Sequence, residues 1–268
     1  MKPFDYRNKA VLITGASSGI GRVFAHALAA RGAHLALVAR SGPALTALAE
    51  ELAARHGVRA HAIVADLSQP GAASAAYERA CALDLRPQVL VNNAGFAAHG
   101  RFETLALPRQ LNQVGLNCGA VVELSHAALP AMLAAGEGAI INVASTAALQ
   151  PDPYMAIYGA SKAFVLSFSE ALWAENRARG VRVLALCPGA TETPFFDVVG
   201  AAEAAVGKRM APQAVVAAAL EALDRGRSHV VAGAANRALA WLPRLLPRGA
   251  TLRIVANMLK PRGLRAPR

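Results

Sequence analysis

Short runs of β-branched and apolar residues alternate with longer amphipathic stretches along most of this 268-residue chain. A short apolar run predicts a buried strand, and a longer stretch with apolar residues at helical spacing predicts a helix. The two kinds of segment alternate from Lys9 to Cys187, as strands do when crossover helices join them. We therefore predict an α/β fold with a parallel sheet of about seven strands, helices on both faces and right-handed crossovers.

The predicted elements follow from this alternation. Strands are expected at 9–14, 33–39, 58–65, 89–92, 138–145, 181–187 and 228–232. Helices are expected at 22–31, 45–56, 72–83, 108–130, 158–179 and 212–224. We find no internal repeat and no long linker, so residues 1–234 are expected to form one domain, which 235–268 extends.

A glycine-rich turn connects the first predicted strand to the first predicted helix. Its sequence, Gly15-Ala-Ser-Ser-Gly-Ile-Gly21, has the strand–turn–helix context of a dinucleotide-binding turn. Glycines let the backbone approach a pyrophosphate, and the helix N-terminus offers free N–H groups and a positive dipole end. Because the spacing is GxxxGxG rather than GxGxxG, a turn without a ligand is the alternative interpretation.

The end of the second predicted strand bears on the choice of dinucleotide. A site for NAD usually places an acidic residue here to bind the ribose hydroxyls. This chain has Ala39-Arg40-Ser41 at that point and no acidic residue before Glu50. Because a guanidinium suits a 2′-phosphate, we predict NADP(H) in preference to NAD(H), with Arg40 and Ser41 as contacts. A solvated arginine at the start of a loop is the alternative.

Tyr158 and Lys162 lie one turn apart on a predicted helix and therefore share a face. A free tyrosine has a pKa of about 10, whereas a proton donor works best near neutral pH. A lysine cation one turn away in a partly dry cleft would lower the tyrosine pKa. Taken alone the pair is weak support, since an ordinary amphipathic helix can carry both residues by chance.

Composition narrows the class of protein. Apolar residues make up 54% of the chain and charged residues 17%, which is ample for a folded core. The three cysteines lie far apart and no Cys/His spacing suits a metal, so we expect neither a disulfide framework nor a metal site. The first residues lack the apolar segment of a signal peptide, and no apolar run approaches the roughly 20 residues of a membrane span. These features favour a cytoplasmic location.

The net charge of +11 is distributed unevenly along the chain. Ten of the 28 Lys and Arg residues follow Asp224, which is the last acidic residue. The residues before Arg225 are therefore almost neutral, and the basic excess belongs to the C-terminal segment. A nucleic-acid-binding surface would not have this distribution, so we expect no nucleic-acid partner.

Several motifs occur in order between Lys9 and Thr193. They are Thr14-Gly-Ala-Ser-Ser-Gly-Ile-Gly21, Asp66, Asn92-Asn-Ala-Gly95, Asn117, Ser145, Tyr158-x-x-x-Lys162 and Pro188-Gly-Ala-Thr-Glu-Thr193. Together they resemble the short-chain dehydrogenase/reductase family, in its single-domain branch of about 250 residues. The resemblance implies a Rossmann-like doubly wound sheet within residues 1–234 and a substrate flap at 190–211. Residues 235–268 extend past the family's minimal core, and their apolar residues at roughly helical spacing predict a C-terminal helical extension packed on the same domain.

The resemblance also implies roles for individual positions. Tyr158 would be the general acid/base of a carbonyl reductase, Lys162 would lower its pKa and hold the nicotinamide ribose, and Ser145 would orient the carbonyl oxygen. Asn117 would anchor a water that links Lys162 to solvent. The further cofactor-binding positions would be Gly15, Ser17, Ser18, Gly19, Ile20, Gly21, Arg40, Ser41, Asp66, Leu67, Asn93, Ala94, Gly95, Pro188, Gly189, Thr191 and Thr193.

The substrate pocket is the most variable part of that family. Phe195 and Phe196 of the flap would suit a hydrophobic ketone, aldehyde or 3-oxoacyl substrate, although packing of a lid on the core explains them equally well. Residues 96–99 and 149–155 should also border the pocket, with His99 at its rim rather than in a catalytic role.

The apolar and basic segment 235–268 has two interpretations. It would cover the substrate mouth or a partner subunit, or it would rest on an anionic membrane as an amphipathic anchor. We favour the covering role for its apolar part, and expect prolines 243 and 247 to break it into short pieces. The resemblance implies a homodimer or homotetramer through the helices near Asn117 and Tyr158. A non-enzymatic dinucleotide sensor or membrane-associated interaction protein on the same fold is the alternative function.

Overall fold

One parallel sheet forms the centre of this computed structural model, which describes residues 2–201 and 207–261. Within the described residues its strands are β1 (Ala10–Thr14), β2 (His34–Ala39), β3 (Ala60–Val64), β4 (Val89–Asn92), β5 (Gly138–Val143), β6 (Val181–Cys187) and β7 (His229–Val231). Their order across the sheet is β3-β2-β1-β4-β5-β6-β7, and every pairing is parallel. The order reverses between β1 and β4, and ligands bind at such a switch point in open α/β sheets.

Helices cover both faces of the sheet. They are α1 (Gly19–Ala29), α2 (Gly42–His56), α3 (Ala72–Ala82), α4 (Leu107–Val114), α5 (Ala120–Ala135), α6 (Ala156–Asn176), α7 (Phe195–Val199), α8 (Pro212–Asp224), α9 (Ala234–Leu245) and α10 (Arg248–Leu259). One core cluster joins the sheet to α1, α2 and α8, and a second joins it to α3, α5 and α6. The predicted α/β fold is confirmed, with element ends shifted by a few residues.

Burial of both sheet faces explains why the strands are almost continuously apolar. Side chains alternate across a strand, so Val11 and Ile13 of β1 join the cluster under α1, while Leu12 joins the cluster under α5. All three side chains are fully buried. A strand covered on both faces has no solvent side on which polar residues would alternate.

A buried polar network, which the apolar pattern does not predict, crosses the sheet beside the switch point. Asn92 Nδ2 donates to Asn142 Oδ1 at 2.9 Å, and Asn142 Nδ2 donates to Ser169 Oγ at 2.9 Å. Ser169 Oγ in turn donates to the Val165 carbonyl at 2.6 Å. The network links β4, β5 and α6, and unpaired members would be costly at this depth. It therefore fixes the position of α6, the helix that carries Tyr158.

The expectation that no segment is long and apolar enough to span a membrane is wrong for the helical stretch 107–135. By length and composition alone, this stretch would suffice. Its composition has another explanation in the fold, because Leu124, Ala128 and Met132 are buried against the sheet. The stretch includes a π-helical turn, Gly115–Gly119, between α4 and α5.

The two C-terminal helices are longer than the prolines suggest. Pro243 lies inside α9, two residues before its end, and Pro247 immediately precedes α10. Pro243 lacks the N–H that would bond the Leu239 carbonyl, but only two helical residues follow it, so the disruption is confined to the last turn of α9. Pro247 stands just outside the first turn of α10, where a missing N–H costs nothing. The expected break is therefore confirmed at Pro247, which separates α9 from α10, and is wrong at Pro243, which lies inside α9.

Candidate active site

A cavity of about 550 Å³ lies at the carboxyl edge of the sheet, over the switch point. Residues that follow β1 to β6 line one part of it, and the flap, α9 and α10 line the rest. The lining includes every predicted catalytic and cofactor-binding residue except Gly21 and Asn117. Residues 96–99, which are expected to border the pocket, are absent from the lining, whereas Gln150, Asp152 and Met155 of the expected segment 149–155 belong to it. Parallel strands end at one edge, so residues far apart in the sequence meet there.

The glycine-rich turn is held by hydrogen bonds from the segment after β4. Asn93 Nδ2 donates to the carbonyls of Thr14 and Gly15 at 2.9 and 3.3 Å. Thr14 Oγ1 accepts from the backbone N–H groups of Asn93 and Ala94, both at 2.9 Å. A Cβ atom at Gly15 would lie 2.7 Å from Asn93 Nδ2, so a glycine is required for this approach. Asn93 therefore shapes the turn as well as lining the cavity.

Gly21 has a packing role instead of the predicted cofactor contact. A Cβ atom there would lie 2.3 Å from the Gly15 carbonyl oxygen, so glycine lets α1 sit directly on the turn. The N-terminus of α1 opens into the cavity through Ser17, Ser18 and Gly19. No side chain caps this terminus, which leaves its first N–H groups available to an anion.

Arg40 and Asp66 mark the end of the cavity next to β2 and β3. Arg40 is exposed and lines the cavity beside Ser41, as a contact to a phosphate requires. Asp66 Oδ1 accepts from the hydroxyl and the N–H of Ser68 at 2.8 and 3.1 Å. The Ser68 hydroxyl, with a smaller contribution from Arg40, holds the pKa of Asp66 below its usual value. The glycine turn and the open helix terminus together fit the pyrophosphate of a dinucleotide, and Arg40 lies at the same end of the cavity.

Ser145 and Lys162 are both fixed by backbone groups near the end of β5. Lys162 Nζ donates to the Val143 carbonyl at 2.7 Å. Ser145 caps a short 3₁₀ turn, Thr146–Leu149, and its Oγ accepts from the Ala147 N–H at 3.1 Å. Because that oxygen accepts the cap bond, its O–H remains able to donate into the cavity. Tyr158 lies one turn before Lys162, whose Nζ is 5.8 Å from the tyrosine ring centroid.

Burial dominates the electrostatics of this group. It raises the pKa of Tyr158 to about 12, although the Ser145 hydroxyl counteracts part of the rise. It also lowers the pKa of Lys162 to about 8. The direction for Tyr158 is opposite to the lowering expected from Lys162, because the loss of solvation outweighs the attraction of a cation that is itself desolvated. The expectation that Lys162 lowers the Tyr158 pKa is therefore wrong for this structure.

Asn117 lies behind the cavity rather than in its lining. Its Oδ1 accepts from the Phe96 N–H at 3.2 Å, and its Nδ2 donates to the Phe96 carbonyl at 3.1 Å and to Ser161 Oγ at 3.0 Å. The side chain is thus committed to protein groups and supports the segment after β4. Its position in the π-helical turn is typical of functional sites, and its role in holding a water stays a prediction.

The substrate end of the cavity is closed by the C-terminal helices. Pro243 of α9 and Thr251, Val255 and Leu259 of α10 line it. His99 Nε2 donates to the Leu259 carbonyl at 2.7 Å, which ties the end of α10 to the segment after β4. The described part of the extension therefore lies over the mouth of the cavity. Residues 262–268 of the extension and 202–206 of the predicted flap lie outside the described residues.

Two further lining residues, Gln150 and Asp152, lie within the segment expected to border the pocket but have no predicted role. Asp152 is 8% exposed, and Gln150 Nε2 donates to its Oδ1 at 3.1 Å. Burial raises the pKa of Asp152 to about 6. The sequence shows an aspartate six residues before Tyr158. It does not show that the carboxyl group is buried, because that burial depends on the folded loop.

The burial of Asp152 predicts a pH-dependent cost in stability. Because its pKa is raised in the folded state, its contribution is fully present near pH 4 and is lost as the pH rises through about 6. Relative to the Asp152→Asn variant, the native protein should lose about 3 kcal/mol of unfolding free energy between about pH 4 and pH 7. Urea unfolding at both pH values measures this difference.

The exposed Asp197 supplies the control for that measurement. Asp197→Asn removes one carboxylate without changing the cavity and should show no comparable loss over the same interval. A stability difference between native protein and Asp152→Asn that does not vary with pH would contradict the shielding of this carboxyl group.

Comparisons with known proteins agree with this geometry. The family model for short chain dehydrogenase matches residues 9–204. Sulfoacetaldehyde reductase 2 of Chromohalobacter salexigens is 40% identical over 187 residues, covering 69% of this chain and 73% of that protein. A short-chain dehydrogenase from Sphingobium yanoikuyae, solved in complex with NADPH, is 35% identical with a TM-score of 0.79, covering 97% of this chain and 98% of that one. The bulky-bulky ketone specific alcohol dehydrogenase from Comamonas testosteroni is 30% identical with a TM-score of 0.74, covering 96% of each chain. The chain therefore belongs to the short chain dehydrogenase family of oxidoreductases.

Proposed function

We propose that this protein reduces the carbonyl group of a hydrophobic ketone, aldehyde or 3-oxoacyl compound to an alcohol, with NADP(H) as the cofactor. One observation carries the proposal. A single cavity connects the open N-terminus of α1 and Arg40 to the hydroxyl groups of Ser145 and Tyr158. A dinucleotide bound at the first end can therefore reach a carbonyl compound at the second.

The side chains at the second end suit the protonation of a carbonyl oxygen. Bound NADPH supplies the hydride when the carbonyl is reduced. Ser145 donates a hydrogen bond to the oxygen, and Tyr158 donates the proton that completes the alcohol. Burial keeps Tyr158 protonated at neutral pH, so the proton is present for transfer, although its pKa lies above the near-neutral value at which a donor is most effective. Lys162 holds the end of β5 against α6 and thereby fixes the distance between the two hydroxyl groups.

The walls beyond Tyr158 favour an apolar substrate. Phe195 packs on Tyr158 with ring centroids 5.7 Å apart, and Val255 and Leu259 complete this apolar cluster. The structural neighbour that is specific for bulky-bulky ketones covers nearly the whole chain, including the C-terminal helices, and supports a ketone with large substituents. A non-enzymatic dinucleotide sensor would not require Ser145, Tyr158 and Lys162 to converge on one cavity.

An exposed apolar face on α4 and α6 suits contact with a second copy of the chain. Leu107, Leu111 and Val114 recur at helical spacing on α4 and are each more than 40% exposed. Phe164 of α6 is exposed as well. We infer a homodimer or homotetramer through these helices, because isolated proteins rarely leave such a face in water.

The C-terminal helices have a second candidate role besides closing the cavity. Leu239, Ile254 and Met258 are partly exposed at the cavity mouth, and the described residues after Asp224 carry basic but no acidic side chains. This combination of apolar and cationic groups favours peripheral contact with an anionic membrane. Such contact would place the cavity mouth next to a source of apolar substrates.

Replacing Tyr158 by phenylalanine tests the proposed chemistry. The variant lacks the proton donor, so its rate of carbonyl-dependent NADPH oxidation should fall by roughly 10²- to 10⁴-fold. The measurement uses ketones, aldehydes and 3-oxoacyl thioesters of increasing chain length. Tyr154→Phe is the matched control, because Tyr154 is a nearby tyrosine outside the cavity lining and should keep its activity. Equal activity of Tyr158→Phe and native protein would overturn the proposed proton donor.

Replacing Arg40 by alanine tests the cofactor preference. Loss of a guanidinium next to the 2′-phosphate should weaken NADPH binding about tenfold and leave NADH binding nearly unchanged. Direct titration of the dissociation constants measures both effects. Arg59→Ala is the control, because Arg59 precedes β3 at the opposite edge of the sheet and pairs with Asp84 at 3.2 Å. Preference of the native protein for NADH would contradict the proposal.

A charge on α4 tests the proposed subunit contact. Leu111→Glu should dissociate the oligomer into monomers, because the carboxylate would be buried without a partner in the interface. Size-exclusion chromatography with light scattering measures the molar mass. Leu245→Glu places the same charge on an exposed leucine of α9 and should leave the mass unchanged. Dissociation by Leu245→Glu alone would assign the contact to the C-terminal helices instead.

A further inference from the structure

Asp152 places a carboxylate in the substrate end of the cavity, beside the apolar residues of the flap and the C-terminal helices. The charged residues of the described lining are Arg40, Asp66, Asp152 and Lys162. Arg40 and Asp66 belong to the end next to β2 and β3, and Lys162 is bonded to the Val143 carbonyl. Asp152 is thus the acidic group that a substrate next to Tyr158 meets.

The local backbone holds this carboxylate in place. Prolines at 151 and 153 flank Asp152, and a residue before proline is restricted to extended conformations. The Asp152 carbonyl accepts from the Met155 N–H at 3.1 Å. A Cβ atom at position 159 would lie 3.0 Å from the Asp152 Cβ, so Gly159 allows the side chain to pack directly on the first turn of α6. The carboxylate is therefore preorganised rather than loosely tethered.

Within the described residues Asp152 has no cationic partner. Its carboxylate accepts one side-chain hydrogen bond, from Gln150, and no Lys, Arg or His forms an ion pair with it. A second polar atom of the lining, Thr251 Oγ1 on α10, is buried without a hydrogen-bond partner in the described structure. Buried carboxylates without a counter-charge are costly, so a built-in one indicates that a ligand supplies the missing group.

We propose that Asp152, oriented by Gln150, binds a protonated amine on the substrate, at a distance from the carbonyl group that is reduced. The inference rests on the proposed function and narrows its substrate to carbonyl compounds with an apolar frame and an ammonium group. An ammonium provides both the hydrogen bonds and the counter-charge that the carboxylate lacks, whereas a hydroxyl provides only a hydrogen bond. At neutral pH a primary amine is protonated and the Asp152 carboxyl group is mostly ionised.

A matched series of substrates tests this site. The compounds share one apolar carbonyl frame and end in a methyl, a hydroxyl or a primary amine, at several separations from the carbonyl carbon. The measured quantity is the ratio of kcat/KM for the amine to kcat/KM for the methyl compound, within each variant. Because both substrates are measured with the same variant, a substitution that changes the folded fraction or the reactivity of Tyr158 alters both values equally and leaves their ratio unchanged.

The native protein should prefer the best amine at least about tenfold over its methyl counterpart. Asp152→Asn, which keeps the shape but removes the charge, should reduce this ratio at least about tenfold. Glu192→Gln is the matched control, because Glu192 is an exposed carboxylate of the flap outside the lining and should keep the ratio. Gln150→Ala should reduce the ratio less than Asp152→Asn, since Gln150 only orients the carboxylate.

An equal ratio in native protein and Asp152→Asn would overturn the inference and leave the proposed function intact. Preference for the hydroxyl over the amine compound would overturn the assignment of an ammonium group. Failure of every carbonyl compound to react would instead count against the proposed function. In that case isothermal titration calorimetry of the same compounds with the NADPH-saturated protein decides the inference. Tighter binding of the amine compound that is lost in Asp152→Asn supports it, and equal affinities of the amine and methyl compounds overturn it.

Discussion

The hydrogen bond from Lys162 to the Val143 carbonyl is the constraint on which the candidate active site depends. It joins α6 to the last residue of β5 inside the protein, where a bare ammonium would be costly. Two residues after Val143 the chain places Ser145, and one turn before Lys162 it places Tyr158. The bond therefore sets the separation of the two hydroxyl groups, and the buried Asn92–Asn142–Ser169 network supports the same pair of elements.

Burial has an electrostatic consequence for three ionisable groups at the substrate end of the cavity. The C-terminal helices exclude water from the substrate end, and burial shifts the pKa of Tyr158 and Asp152 upward and that of Lys162 downward. Each shift disfavours a charge. For Tyr158 the result is a phenol that stays protonated at neutral pH. For Asp152 the result is a carboxyl group whose ionisation depends on what is bound next to it.

Periodicity and motif order predict the sheet, its flanking helices and most of the cavity lining, because these depend on local patterns and on the shared edge of parallel strands. The positions that they do not predict depend on contacts across the fold. Gly21 is a packing residue because of its approach to Gly15, and Asn117 faces Phe96 rather than the cavity. The burial of Asp152 requires the folded loop before α6 and Gly159 beneath it, and no spacing in the sequence encodes that contact.

The dinucleotide end of the cavity lies in the segment that the family model matches, whereas the substrate end lies partly outside that segment. The dinucleotide end and the Ser145–Tyr158–Lys162 group lie within residues 9–204, the segment that the family model matches. The substrate end is completed by α9 and α10, which lie beyond that segment but within the region shared with the structural neighbours. The residues that position a hydride transfer tolerate little change in their relative positions. The helices that cover the cavity only have to enclose a substrate of a different shape. We therefore expect the loop around Asp152 and the inner faces of α9 and α10 to determine which substrate this chain prefers.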